Sequence, residues 1–251
     1  PYTTLFRSQR HSRPDGWRRL LGLVEGLVAK GHSAKAQVAP RPIGVLQGLQ
    51  ASRIPFSMCA AYKAIQHKTV AERLAIMRDP TFRAQILKES QEPLRSAMAA
   101  RLTDFDRMFP LGDPPDYEPP PERSIAAMAR AQGVTPEALA YDIMSDGRDG
   151  GKLYLAMANF SEGSLDTVGE ILAHPDVVLG LGDGGAHVGT ICDASYSTFA
   201  LMHWTRDRKK GRKTVQDIVH RMTGATADII GLSDRGRIAE GLRADLNVIQ
   251  L

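Results

Sequence analysis

The 251-residue chain is 43% hydrophobic and 24% charged with a formal net charge of +4. That is the balance of a globular protein with a sizeable core, not of a disordered chain or a nucleic-acid-coating one. Cys59 and Cys192 are too few for a disulfide framework and lack metal-ligand spacing, so a reducing, cytoplasmic compartment is expected. There is no initiating Met, no signal-peptide core and no apolar run long enough to span a membrane; a piece of a longer gene is expected, with no membrane partner.

Pro1-Tyr-Thr-Thr-Leu-Phe-Arg-Ser8 matches one reading frame of a common sequencing-adaptor oligonucleotide and is expected to lie outside the fold. Asp15 then caps an expected helix with Leu20, Leu21, Val24, Leu27 and Val28 on one face, ending near Gly31. Ala34–Ala39 alternates and meets Pro40, which predicts a strand. Thr69-x-x-Glu72 is a capping box, and Asp79-Pro80 starts a helix with proline at its first position. Residues 110–121 hold six prolines and read as an irregular loop. Ser124 and Thr135-Pro136 open two short helices, Leu153–Phe160 reads as a strand, and Ser164–His174 as a helix.

Asp176-Val-Val-Leu-Gly-Leu-Gly-Asp-Gly-Gly-Ala-His187 follows. Its apolar run predicts a strand buried on both faces, feeding a glycine-rich turn with one carboxylate and one imidazole. Helices are expected over about 196–207 and after Thr214, the latter with Val215, Ile218, Val219 and Met222 inward. The basic run Arg206–Lys213 has no interleaved aromatics and reads as a solvated loop, so no nucleic-acid partner is expected. Gly236–Leu251 reads as a hairpin-like strand pair around Glu240-Gly241. Strands alternating with helices predict a parallel α/β fold.

Gly180-x-Gly182-x-x-Gly185 fits the dinucleotide fingerprint, so a nicotinamide-dependent oxidoreductase is one alternative. It lacks the second strand with an acidic end about 20 residues on, where Phe199–Arg206 reads as helix.

Three stretches carry a resemblance: Gln37–Leu49, Leu181-Gly-Asp-Gly-Gly-Ala-His187 after His174-Pro175, and the closing Gly231–Ile249. Together they resemble the amidohydrolase superfamily in its D-aminoacylase-like (N-acyl-D-amino-acid deacylase) branch. The resemblance implies the C-terminal part of a (β/α)8 barrel over 9–235, roughly strands six to eight, and truncated β-sandwich strands over 236–251. Gln37–Leu49 resembles the sixth-strand region, and strand seven is expected near Phe105–Leu111. An insertion over about 112–163 is then expected to cover the site, bringing Tyr117 or Asn159 toward Asp183. The implied activity is hydrolysis of a non-peptide C–N bond in a small molecule, an N-acyl-D-amino acid or alternatively a cyclic amide. One or two zinc ions are implied, with the remaining ligands upstream. Such an ion lowers the pKa of its water to about 7.

Asp183 is then the candidate general base, general acid and metal ligand; a turn aspartate bonding backbone amides is the alternative. His187 could contact the substrate carbonyl, or bond only to the loop backbone. Arg41 could hold a substrate carboxylate by a bidentate pair or form a structural ion pair. Asn159, at a strand end, is a further substrate-binding candidate. His32, His67, His203 and His220 read as solvated or packed side chains.

Overall fold

A computed structural model of the chain describes residues 3–6, 9–92, 97–147, 150–180, 189 and 193–251, with the side chains of 3–6, 97–99 and 193 outside the description. In chain order its elements are β1 (Thr3–Phe6), α1 (Gly16–Ala29), β2 (Ala34–Val38), β3 (Ile43–Gln47), α2 (Ala60–Ile65), α3 (Val70–Met77), α4 (Pro80–Ser90) and α5 (Ala97–Leu102). There follow β4 (Met108–Leu111), α6 (Ile125–Gln132), α7 (Pro136–Ser145), β5 (Lys152–Ala158), α8 (Asp166–Ala173), β6 (Val177–Leu179), α9 (Tyr196–Met202), α10 (Val215–Met222) and α11 (Gly224–Ile230). They fall into two compact units. One comprises 1–43, 158–184 and 193–251, the other 44–157 and 185–192.

The first unit is built on a parallel sheet in the order β1-β2-β6. Val177, Val178 and Leu179 are all buried, as the uninterrupted apolar run predicts, while β2 alternates with Ala34, Ala36 and Val38 inward. Helices α1 and α8 pack on this sheet, with α10 and α11 against β6. Thr3–Phe6, expected outside the fold, pairs with Ala34–Gln37 as β1. Strand pairing uses backbone groups, so it does not depend on where these residues come from.

The second unit carries a three-stranded sheet in the order β3-β5-β4. Gly44 lets β3 approach β5: a Cβ there would lie 2.5 Å from the Leu155 carbonyl oxygen. Met108–Leu111 runs antiparallel to Lys152–Leu155, so β4 is not a barrel strand in parallel register. This corrects the placement of strand seven near Phe105–Leu111. The parallel neighbour of β6 is β2, and residues 44–157 between them in the chain belong to the second compact unit. Its core gathers Phe56, Met77, Ile86, Met108, Ile125, Tyr141 and Met144, with the Tyr141 hydroxyl donating to the Met77 carbonyl at 2.7 Å.

Local signals read as expected where a side chain meets a helix amide. The Thr69–Glu72 capping box closes in both directions, and Asp79, Ser124, Thr135 and Thr214 cap α4, α6, α7 and α10. Asp15 precedes α1 without a capping bond, since its backbone is already helical (φ −91°, ψ 0°). Val28, Val215 and Val219, expected inward, are exposed, and Trp17 is buried instead. Gly236–Leu251 forms no strands; the Leu242 amide bonds to the Ala239 carbonyl and the Arg243 amide to the Asp234 carbonyl, and Ile238, Leu246, Val248 and Ile249 are exposed. A two-stranded hairpin is marginal without a surface to bury one face. Among the described residues no helix is long and apolar enough to cross a membrane.

Candidate functional site

Strands β2 and β6 end at one level. Val38 pairs with Leu179, and the Gly180 amide donates to the Val38 carbonyl at 3.1 Å. A Cβ at Gly180 would sit 2.9 Å from the Gln37 side-chain amide, so a larger residue here would require that side chain to move. The carboxyl ends of parallel strands are where α/β folds place reacting groups. From this end emerge the loop Ala39-Pro-Arg-Pro42 and the stretch that runs on to Asp183 and His187. Both of those residues lie outside the described ones, as does the expected proximity of Tyr117 or Asn159 to Asp183.

The Arg41 loop is buried throughout. Pro40 and Pro42 bring no amide hydrogens, so the loop offers carbonyls that need donors from elsewhere. They find them in side chains distant in sequence. Asn159 Nδ2 donates to the Ala39 and Arg41 carbonyls at 3.1 and 3.2 Å, and Trp204 Nε1 to the Pro40 carbonyl at 2.6 Å. Asn159 is itself fixed: its Oδ1 accepts from the Gln9 amide at 2.9 Å, and its own amide donates to the Gln9 carbonyl at 2.8 Å. It holds a left-handed backbone at φ 64°, which asparagine tolerates better than most residues. Gln9 is fully buried; its side chain donates to Thr167 Oγ1 and accepts from the Ser161 amide.

Arg41 has no exposed surface. Its Nη1 donates to Ser195 Oγ at 2.6 Å, its Nε to the Pro42 carbonyl at 3.4 Å, and the guanidinium carbon lies 5.6 Å from the Phe199 ring centroid. Trp204 is sandwiched in turn, with the Arg208 guanidinium 4.6 Å from its ring and Gly169 leaving it room. Arg208 pairs with Asp166, which Lys210 also meets at 2.7 Å. These two cations, Lys210 first, hold the Asp166 carboxyl below its ordinary range.

Arg41 and Asn159 are thus brought together, the Asn159 side-chain amide meeting the Arg41 backbone carbonyl and not its guanidinium. Both donor hydrogens of Asn159 are committed to carbonyls. Sequence reasoning missed Gln9, Ser195 and Trp204. The one available signal was Pro-Arg-Pro itself, whose carbonyls require donors. Tyr117 packs edge-on against Tyr154 in the second unit at 5.5 Å. His32, His67 and His220 are exposed, as expected of solvated histidines. Among the described residues no three His, Cys, Asp or Glu side chains converge, so these residues alone do not make a metal cage.

A family model described as "Amidohydrolase family" matches residues 11–250. The chain is similar to an N-acyl-D-glutamate deacylase from Bordetella bronchiseptica, solved with zinc and a phosphonate inhibitor, at 19% identity and a TM-score of 0.44, covering 97% of this chain and 39% of that one. It is similar also to a D-aminoacylase structure at 18% identity and a TM-score of 0.43, covering 97% of this chain and 38% of that one. The chain therefore spans well under half the length of either. No curated protein matches it.

Proposed function

The chain belongs to the amidohydrolase family, and on that premise we propose that the whole protein hydrolyses an amide C–N bond of a small molecule, with an N-acyl-D-amino acid as substrate class. Family membership displaces the oxidoreductase alternative raised by the glycine pattern. The observation that carries the reading is the shared end of β2 and β6, bonded through Gly180 and Val38. Asp183 follows Gly180 by three residues, a reach of about 10 Å at most. It therefore starts from the carboxyl end of a parallel strand, where this chemistry is built.

In this reading β1, β2 and β6 are three consecutive barrel strands, and 44–157 is an excursion between β2 and the helix before β6. Asp183 takes a proton from the attacking water and returns it to the departing nitrogen, because an amine anion is a poor leaving group. His187 contacts the substrate carbonyl oxygen. Zinc, when bound, supplies an acidified water; Asp183 would be this chain's contribution to holding it, with the other ligands upstream. A cyclic amide, whose cleavage needs no carboxylate clamp, is the second substrate class.

The test is turnover by the full-length protein of N-acetyl-D-amino acids, their L-enantiomers and a cyclic amide, after metal stripping and again after adding zinc. Zinc-restored cleavage of the D-series supports the reading, and no amide cleavage under any metal condition refutes it.

A further inference from the structure

The stretch 181–192 is flanked by two ties to the same short piece of chain. Before it, the Gly180 amide is bonded to the Val38 carbonyl. After it, Ser195 accepts from Arg41 Nη1 at 2.6 Å, and Phe199, one turn on, lies by the same guanidinium. Val38 and Arg41 are three residues apart. The loop between and just beyond them has three successive carbonyls captured by Asn159 and Trp204. A cation with no exposed surface is placed by its bonds rather than by solvent, so the guanidinium is a fixed point.

We propose that Arg41 is a positioning residue, locking the start of α9 to the end of β2. This rests on the proposed function for its link to chemistry, since Asp183 lies between β6 and α9 in the chain. It departs from the sequence expectation that Arg41 touches a substrate carboxylate. Asn159 and Trp204 hold the Arg41 loop and act one step further back.

The experiment uses the full-length protein with Ser195→Ala, Arg41→Met and Arg41→Lys. Ser195→Ala removes the acceptor of the Arg41 bond, at an exposed residue, and keeps the question open to test should Arg41→Met fail to fold. Amide exchange is followed in α9 (Phe199 to Met202) and at Val38 and Leu179. In parallel, kcat and KM are measured for an N-acyl amino acid and its neutral carboxamide. The lock predicts that Ser195→Ala raises exchange in α9 about tenfold while the strand amides hold. It further predicts a fall in kcat of about tenfold on both substrates alike, KM within about threefold, and Arg41→Lys between wild type and Arg41→Met. Unchanged α9 exchange in every variant overturns the lock. So does a rise in KM confined to the carboxylate-bearing substrate, which would make Arg41 a substrate clamp. Should the wild type cleave no amide, the functional reading fails, and α9 exchange alone then decides for or against the lock.

Discussion

Asn159→Ala removes three buried hydrogen bonds at once: the Gln9 amide, the Ala39 carbonyl and the Arg41 carbonyl all lose their partner. Each buried group so orphaned costs about 1–3 kcal/mol. Water entering the vacated space can satisfy some of them. The left-handed backbone at φ 64° adds a further penalty for alanine of about 1 kcal/mol, one that glycine does not bear. The expected loss is about 3–6 kcal/mol for Asn159→Ala, with Asn159→Gly about 1 kcal/mol milder. Asn159→Asp keeps the acceptor but turns a carboxylate toward two carbonyls, and should be at least as damaging as alanine. Urea unfolding followed by tryptophan fluorescence reads the right region, because Trp17 and Trp204, the chain's two tryptophans, both lie in the first unit. A loss below about 1 kcal/mol for Asn159→Ala, or glycine no better than alanine, would refute the bracing role and the backbone argument respectively.

In the full-length protein Asp183→Asn should lower kcat by about 10²–10⁴-fold at unchanged metal content, since the swap keeps the shape and loses the proton acceptor; activity within a few-fold of wild type, measured with metal analysis, assigns Asp183 to the turn. The Asp166 carboxyl, held down by Lys210 and Arg208, contributes stability that is present above the ordinary carboxylate pKa and lost as pH falls through its depressed folded value. Melting curves of wild type and Asp166→Asn should therefore differ at neutral pH and converge in acid, and a constant gap would contradict the pairing. Burial pushes the Cys59 thiol up to about 11, with Glu89 and Glu92 adding to it. Its alkylation at pH 8 should run about a hundredfold slower in the folded chain than in urea, and equal rates would place the thiol in solvent.

What the sequence determined by itself are features set within a few residues. The caps at Thr69, Asp79, Ser124, Thr135 and Thr214 each join a side chain to an amide two or three positions on, so their spacing suffices. The burial of Val177–Leu179 was legible for the same reason, since a strand covered on both faces leaves no polar position. The family, too, could be read from the Leu181–His187 pattern and the Gly231–Ile249 close. Only the tertiary structure decided which strand neighbours β6. Met108–Leu111 is a short apolar run and Ala34–Val38 an alternating one, either can serve as a strand, and pairing direction is a relation between residues 41 to 141 positions apart in the register. Nor could the sequence disclose that Asn159 and Trp204 serve the carbonyls of Ala39, Pro40 and Arg41. Those bonds span 118 to 164 residues, and a carbonyl's need for a donor says nothing about where in the chain the donor will come from.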